Sequence, residues 1–252
     1  MIEGVDTGHD FRVILGIRFF VGQPGDAVRL GLRGGLVVAP AAPLLSTLAH
    51  DGATREALLA SDLSLTDSGL MVLLWNLLKR DHVRRVSGYE YLMLLLQEPE
   101  LRQPGALFWV MPDCAARDMA AAWLVRAAFA VDETDFYLAP QYGSGPISDD
   151  ALLGILNARR PKHIVIALGG GVQERLGHCL KRNLAHRPAI HCTGAAIAFL
   201  SGNQVRIPKW ADRWMFGWLF RCIAAPRKFI PRYWRACGLV PLMCKYRERL
   251  PG

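Results

Sequence analysis

The chain has 252 residues, of which 52% are hydrophobic and 21% are charged, and its formal net charge is +8. This composition is ordinary for a globular protein with a sizeable core, and it excludes a disordered chain. No apolar run reaches the roughly 18 residues that a membrane-spanning helix needs. We expect no signal peptide, because the first residues lack a basic segment followed by a long apolar one.

The predicted elements begin with two apolar segments, Phe11–Val21 and Val28–Val38. Their pairing stays open between an N-terminal hairpin and separate edge strands. Gly35–Val38 and Asp62–Thr66 have the apolar character of short strands. The helices predicted in this part of the chain are Ala53–Ala60 and Gly69–Arg80.

From Ala106 onward, short apolar runs alternate with stretches of helix-like apolar spacing. The runs are Ala106–Met111, Asp135–Ala139, His163–Leu168 and Ala189–Cys192, and the helical stretches are Ala115–Ala130, Ser148–Ala158 and Val172–Ala185. Such alternation is typical of parallel strands with a helix in each connection. The sequence therefore predicts an α/β domain over residues 1–204, with a Rossmann-like parallel sheet covered by helices.

In an open parallel sheet, ligands bind beyond the carboxyl ends of the strands. Candidate functional residues should therefore follow the predicted strands. They are Pro40, Asp67, Gly88, Pro112, Pro140, Gly169–Gly171 and Thr193-Gly194.

The most glycine-rich of these strand ends is Gly169–Gly171, which is followed directly by Gln173 and Glu174. Glycines at a strand–helix turn let a diphosphate approach main-chain N–H groups and the positive end of the helix. The alternatives are that the turn is purely structural and that Glu174 only caps the helix dipole.

Two further strand ends carry charge. Asp67 lies beside small residues, where a carboxylate can deprotonate an incoming hydroxyl; its alternative role is to N-cap the next helix. Arg84 and Arg85 offer guanidinium groups suited to a diphosphate; their alternative is a solvated pair on a surface strand.

The six cysteines show no regular spacing. Scattered cysteines in a chain without a secretion signal are typical of reduced thiols, so we expect a cytoplasmic protein. Residues that could bind a metal ion are neighbours in the sequence at two places, His178-Cys179 and His191-Cys192. Adjacent side chains rarely reach one ion, and no zinc-like spacing follows, so we predict no metal site.

Residues 203–252 carry eleven Lys or Arg against two acidic residues, a net charge of +9 that leaves −1 for the rest of the chain. Trp210, Trp214 and Trp218 are four residues apart, so a helix would align their indoles on one face. Basic residues beside a Trp-rich face suit the headgroup region of an anionic membrane. We therefore predict that residues 205–252 form a basic, Trp-rich helical C-terminal appendage that associates with membrane.

Two other interpretations of this basic segment stay open. One is a pair of helices packed on their own domain, with solvated arginines outside. The other is a surface for single-stranded nucleic acid, which also combines positive charge with aromatic side chains. Nucleic acid is disfavoured because the tryptophans repeat at helical spacing rather than along a groove, so we expect no nucleic-acid partner.

An ordered set of motifs runs from Gly169 to Tyr233. They are Gly169-Gly-Gly-Val-Gln173-Glu174, Cys192-Thr-Gly-Ala-Ala-Ile-Ala-Phe-Leu-Ser-Gly202, Arg206-Ile-Pro208-Lys-Trp-Ala-Asp-Arg-Trp214, Trp218-Leu-Phe-Arg221 and Pro226-Arg-Lys-Phe-Ile-Pro-Arg232-Tyr233. Together they resemble the WecG/TagA/CpsF glycosyltransferase family of bacterial polysaccharide assembly. The match covers most of the chain after about Gly35.

The resemblance implies an inverting glycosyltransferase that needs no metal ion or other cofactor. Its donor would be a nucleotide sugar, usually a UDP-sugar, and its acceptor a polyprenyl-diphosphate-linked saccharide. Such an enzyme of exopolysaccharide synthesis would be a peripheral protein on the inner, cytoplasmic face of the bacterial cell membrane.

The resemblance also implies roles for individual residues. The catalytic residues would be Asp67, as general base, Arg85 and Gln173. Substrate would be bound by Gly169, Gly170, Gly171, Glu174, Thr193, Arg221, Lys228 and Arg232, with the last three at the diphosphate where the appendage meets the membrane.

The chain departs from the family pattern at three strand ends. It has Ala39-Pro40-Ala41 where Thr-Pro-Asn is usual, Thr66-Asp67-Ser68 where Pro-Asp-Gly is usual, and Val110-Met111-Pro112-Asp113 in place of a glycine pair. Loss of the Thr and Asn side chains removes two sugar contacts that the pattern implies. The departures leave a second interpretation, a catalytically inactive relative that binds lipid-linked saccharide or a partner enzyme.

Overall fold

The computed structural model of the chain describes residues 10–200, 202 and 226–252; at 226, 228–230, 232 and 233 it describes only the backbone. The described residues form one eight-stranded sheet. Its strands are β1 Phe11–Ile14, β2 Ile17–Phe20, β3 Gly35–Val38, β4 Leu63–Leu65, β5 Leu107–Met111, β6 Phe136–Leu138, β7 His163–Ile166 and β8 Ala189–Cys192. The spatial order is β1-β2-β4-β3-β8-β7-β5-β6.

All neighbouring strands pair in parallel except β1 and β2, which form an antiparallel hairpin at one edge. Helices cover both faces of the sheet. They are α1 Pro24–Leu32, α2 Ala42–Leu45, α3 Gly52–Leu59, α4 Gly69–Lys79, α5 Gly88–Leu95, α6 Cys114–Arg126, α7 Asp150–Arg159, α8 Val172–Asn183, α9 Ala196–Leu200, α10 Pro226–Cys237 and α11 Leu239–Tyr246. The predicted α/β fold with a covered parallel sheet is confirmed.

Each face of the sheet has its own apolar core. On one face the core includes Trp75 of α4, Leu176 of α8 and Met243 of α11. On the other it includes Val28 of α1, Tyr91 of α5 and Leu124 of α6. Since the strands are buried on both sides, their sequences are nearly continuous apolar runs, which explains why they were recognisable.

The N-terminal prediction is partly wrong. The segment Phe11–Val21 contains the whole hairpin, whereas most of Val28–Val38 is not a strand. Pro24 is the first residue of α1, and proline suits that position because its fixed φ fits the helix and no N–H bond is lost. The helix ends at Leu32, and only Gly35–Val38 of the predicted segment is extended.

Helix α5 was not predicted, because its eight residues give only a weak helical periodicity. Its start carries a signal: Ser87 is followed three residues later by Glu90, as in a capping box, and the Ser87 hydroxyl accepts a hydrogen bond from the Glu90 N–H at 3.1 Å. The helix begins three residues after Arg85, so it shapes the region around that side chain.

The last residues of the chain complete one face of the core. Helix α10 packs on α2, and α11 packs on α4 and α2. Leu239 and Met243 are fully buried. The backbone N–H groups of Leu15 and Gly16 donate to the carbonyl groups of Arg247 and Glu248 at 2.7 and 2.8 Å. The predicted boundary after residue 204 and the predicted Trp210/Trp214/Trp218 face lie outside the described residues.

Helix α8 lies very close to the sheet at Gly177. A Cβ atom there would lie 2.7 Å from Leu36 Cδ1 and 2.9 Å from Cys192 Sγ, both in the buried core. The absence of a side chain at Gly177 therefore sets the distance between α8 and strands β3 and β8, and with it the position of the turn that begins α8.

We predict that Gly177→Ala lowers the free energy of unfolding by about 1–3 kcal/mol, because the added methyl group overpacks the core. Gly154, in the middle of α7, is the matched control because a Cβ atom there meets no atom within 4 Å. Gly154→Ala should stabilise the protein by about 0.5–1 kcal/mol through its higher helix propensity. Urea denaturation measures both, and equal effects of the two substitutions would contradict the close packing.

Candidate active site

The predicted site residues follow four neighbouring strands of the sheet. Asp67 follows β4, Pro40 follows β3, Thr193 follows β8 and Gly169 follows β7, and these strands are adjacent in the order β4-β3-β8-β7. Since all four are parallel, their carboxyl ends lie along one edge. The structure thus brings the predicted residues of the α/β domain together at the edge where such folds bind ligands.

Asp67 does not cap a helix. The N-cap of α4 is Ser68, whose hydroxyl accepts a hydrogen bond from the Met71 N–H at 3.1 Å. The Asp67 carboxylate instead accepts a hydrogen bond through Oδ1 from the Gly88 N–H at 3.0 Å. Its side chain is 23% exposed, and Oδ2 accepts no hydrogen bond from the described residues. The helix-capping alternative for Asp67 is therefore wrong, and one carboxylate oxygen is left available.

Arg85 is held beside this carboxylate. Its Nε donates to the Asp67 carbonyl oxygen at 2.7 Å, and its guanidinium lies 3.7 Å from Asp67 Oδ1. The buried Thr66 hydroxyl fixes the segment, since it donates to the Arg84 carbonyl and accepts from the Val86 N–H, both at 2.9 Å. The segment is irregular rather than a strand. Arg84, in contrast, lies at the surface and pairs with Glu90.

Glu174 and Gln173 are buried at the start of α8 and bind the protein itself. Glu174 accepts hydrogen bonds from the Gly171 N–H at 2.6 Å and from Gln173 Nε2 at 2.9 Å. Gln173 Oε1 accepts one from the Gly194 N–H at 2.7 Å. Glu174 thus has the capping role named as its alternative. Gln173 connects the turn after β7 to the turn after β8.

Burial raises the pKa of the Glu174 carboxyl group above its ordinary value. The hydrogen bonds from Gln173 and Gly171 act in the opposite direction, and the negative charge of Asp67 adds to the increase.

The three glycines of the turn have different surroundings. Gly171 has a left-handed φ of +90°, and a Cβ atom there would lie 3.5 Å from Leu44 Cδ1. Gly169 and Gly170 are exposed, and a Cβ atom at either one would meet no atom within 4 Å. The turn therefore has open space over two glycines at the positive end of the twelve-residue helix α8.

The base of the site is closely packed around Gly88. A Cβ atom at Gly88 would lie 3.1 Å from the Ala39 methyl carbon and 3.5 Å from the Thr193 carbonyl oxygen. Thr193 is 7% exposed, and its buried hydroxyl has no hydrogen-bond partner among the residues that the structure describes. The departure at Ala39 thus lies in the contact between β3, β8 and α5. The departure at Asp113 is explained locally, because this side chain N-caps α6.

The structure describes only some of the basic residues that were predicted to bind the diphosphate. Arg221 lies outside the described residues. Lys228 and Arg232 lie on α10, of which only the backbone is described at these positions. Helix α10 packs on α2, and Leu44 of α2 lies beside Gly171. One short helix therefore separates α10 from the glycine turn.

Sequence reasoning missed Arg175, the residue after Glu174. Its side chain is 9% exposed, and it bonds to the carbonyl groups of Gly171, Gly143 and Gly145. It connects the glycine turn to the loop between β6 and α7. An arginine on a predicted helix is ordinarily solvated, so the sequence carried no signal for this contact.

The chain matches a family model, that of the glycosyl transferase WecG/TagA/CpsF family, over residues 14–251. A search of curated proteins gave no match. The family match includes every strand from β2 to β8 and both C-terminal helices.

Proposed function

The chain belongs to the WecG/TagA/CpsF family of glycosyltransferases of polysaccharide assembly, and from this membership we propose its reaction. It transfers a sugar, with inversion and without a metal ion, from a nucleotide sugar such as a UDP-sugar to a polyprenyl-diphosphate-linked saccharide. The observation that carries the proposal is the position of Asp67 on the same sheet edge as the open Gly169–Gly171 turn. Its carboxylate is partly exposed, and one of its oxygens accepts no hydrogen bond from the described part of the chain.

In this reaction Asp67 is the general base. The Gly88 N–H holds Oδ1, so Oδ2 is directed to the acceptor hydroxyl and takes its proton. The acceptor oxygen then forms a bond to the anomeric carbon on the face opposite the nucleotide. The bond from that carbon to the diphosphate oxygen breaks, the configuration inverts, and the nucleoside diphosphate leaves with the electron pair.

The diphosphate needs positive charge and N–H donors. The exposed Gly169 and Gly170 and the start of α8 supply main-chain N–H groups in this proposal. Arg85 lies near enough to Asp67 to orient the base and to reach the same substrate. In the same proposal, three residues of the basic segment also bind the diphosphate, namely Arg221, Lys228 and Arg232. The Thr193 hydroxyl would form a hydrogen bond to the substrate. Gln173 acts by fixing the β7 and β8 turns relative to each other.

Membrane association is the second part of the proposal, and α4 supports it. Apart from Asn76 and Lys79 this helix is apolar, and Leu73 and Leu77 remain 53% and 74% exposed. An apolar face of this kind favours a partner. The exposed cations Lys245, Arg247 and Arg249 line the same surface depression as Lys79 at the end of α4, where Lys79 pairs with Glu248. Leucines beside a basic cluster suit the surface of an anionic bilayer.

The described residues contain no helix with the length and apolar character required to cross a bilayer. We propose that the protein lies on the inner face of the bacterial cell membrane, with α4 and the basic C-terminal segment against the headgroups. Helix α4 runs from the carboxyl edge of the sheet, directly after Asp67, to the opposite edge, where Arg247 bonds to Leu15 in the β1–β2 turn. A helix α4 that lies along the headgroups would therefore keep the carboxyl edge beside the membrane.

We predict that Asp67→Asn lowers turnover by roughly 10²–10⁴-fold, as expected for loss of a general base. Asparagine keeps an oxygen for the Gly88 N–H, so donor affinity should change little. Asp113→Asn is the control, because Asp113 also follows a strand and asparagine is an equally good N-cap. Near-normal turnover of the Asp67 variant would rule out the base. Absence of turnover in the wild type, with binding of the lipid-linked saccharide retained, would indicate an inactive relative.

We predict that Gly170→Val abolishes measurable nucleotide-sugar binding without unfolding the protein. The valine side chain would occupy the open space over the turn, and the backbone there is not left-handed. Gly154→Val, in the exposed middle of α7, is the control. Isothermal titration calorimetry measures donor affinity. An unchanged affinity in folded Gly170→Val protein would make the turn structural only.

We predict that Leu77→Glu weakens binding to anionic liposomes by roughly tenfold or more, since burial of one leucine is worth about 1.5–3 kcal/mol and the new charge is repelled. Val125→Glu is the control, because Val125 is 61% exposed on α6 at the opposite face of the sheet. Point variants are preferable to truncation, which would remove the buried Leu239 and Met243. Equal co-sedimentation of the Leu77 variant and the wild type would contradict docking through α4.

A further inference from the structure

The loop between β6 and α7, residues 139–149, is irregular but is fixed at its C-terminal end. Tyr142 donates a hydrogen bond from its hydroxyl to Asp149 Oδ2 at 2.5 Å, and Tyr137 donates to the same carboxylate at 3.0 Å. Asp149 is buried and also N-caps α7. These hydrogen bonds do not involve the middle of the loop, Gly143–Pro146, which other groups must therefore hold in place.

Arg175 holds the middle of the loop. Its Nη1 donates to the Gly143 carbonyl oxygen at 2.9 Å and also to the Gly145 carbonyl oxygen. Its Nε donates to the Gly171 carbonyl oxygen at 3.0 Å. One planar guanidinium therefore joins two separate strand ends, that of β6 and that of β7, which have β5 between them in the sheet.

The same contact completes the glycine turn. The Gly171 N–H is bound by Glu174 and the Gly171 carbonyl by Arg175, so consecutive side chains of α8 hold both polar groups of this residue. Because Gly171 is the one glycine of the turn with a left-handed backbone, this pair fixes the conformation of the whole turn.

The Arg175 guanidinium is nearly buried, and its hydrogen bonds are to main-chain carbonyl groups. Its three partners are neutral carbonyl groups, and no carboxylate of the described residues forms an ion pair with it. Burying a charge is costly, and here hydrogen bonds to three carbonyl oxygens offset part of that cost. At this place it adds positive potential beside the open Gly169–Gly170 turn.

We propose that Arg175 is a positioning residue that holds the 141–147 loop against the glycine turn as a wall of the nucleotide-sugar site, and thereby sets donor affinity and donor selection. The inference rests on the proposed function and deepens it. In this proposal the loop contacts the nucleotide or the sugar, and Arg175 keeps the loop in the position where it makes that contact.

The test combines kinetics with hydrogen–deuterium exchange on Arg175→Lys and Arg175→Gln. Lysine keeps the charge but replaces the rigid planar fork of arginine with a compact ammonium group, so it cannot reproduce the geometry of the three carbonyl contacts. Arg182→Gln is the control on the same helix, because Arg182 is exposed and pairs with Glu56 at the surface. Tyr142→Phe, which releases the other attachment of the loop, is the independent variant if the Arg175 variants do not fold.

In both Arg175 variants, amide exchange of residues 141–147 should become faster, and the donor KM should rise roughly tenfold or more while kcat falls less. Discrimination among nucleotide sugars should decrease in parallel, and Tyr142→Phe should change the KM in the same direction. Arg182→Gln should leave all of these unchanged.

Faster loop exchange with an unchanged donor KM would overturn the inference, because the contact would then be structural only. Unchanged exchange would overturn the attachment itself. A wild type with no turnover of any nucleotide sugar would instead overturn the proposed function, and the exchange measurement would still report on the attachment.

Discussion

A buried carboxyl group at the start of α8 organises the carboxyl edge of this sheet. Glu174 is fully buried, binds the N–H of Gly171 and orients the amide of Gln173, which in turn binds the N–H of Gly194. A buried polar network of this kind stabilises only if each member is satisfied, and here the Gln173 and Glu174 side chains both find partners. It fixes the turns after β7 and β8 relative to each other, and so leaves Gly169 and Gly170 open and in place.

The second half of the site depends on a smaller set of contacts at the end of β4. Ser68 caps α4, so the carboxylate of the preceding residue, Asp67, is not used as a helix cap. The Thr66 hydroxyl and the Asp67 carbonyl then fix the segment that carries Arg85, and the Gly88 N–H fixes one oxygen of Asp67. In the proposed role of Asp67 as a base, an orientation set by main-chain groups would be in place before substrate arrives, which would lower the cost of reaching the transition state. The two halves of the site lie on either side of β3 and β8. Between them, Ala39, Gly88 and Thr193 are in close contact.

The sequence predicted the sheet because strands buried on both faces read as apolar runs separated by helices. It also predicted that candidate glycines and charged residues lie at one edge of the sheet, because these residues follow the parallel strands. It did not predict which of Asp67 and Ser68 caps α4, since both residue types are good caps and only the backbone decides. It gave no indication of Arg175, whose partners are carbonyl groups of a loop thirty residues away, and backbone carbonyls carry no residue-type signal. Helix α5 could have been found from Ser87 and Glu90, but eight residues give a weak periodicity.

The central claim is that sugar transfer takes place on the edge between the Gly169–Gly171 turn and Asp67. A crystal structure of the protein with a bound nucleoside diphosphate tests it most directly. The account predicts that the diphosphate lies on the N–H groups of the glycine turn, and that its terminal phosphate faces the side on which the Asp67 carboxylate lies. A nucleotide bound at the opposite edge of the sheet, or on the far side of β6, would contradict it.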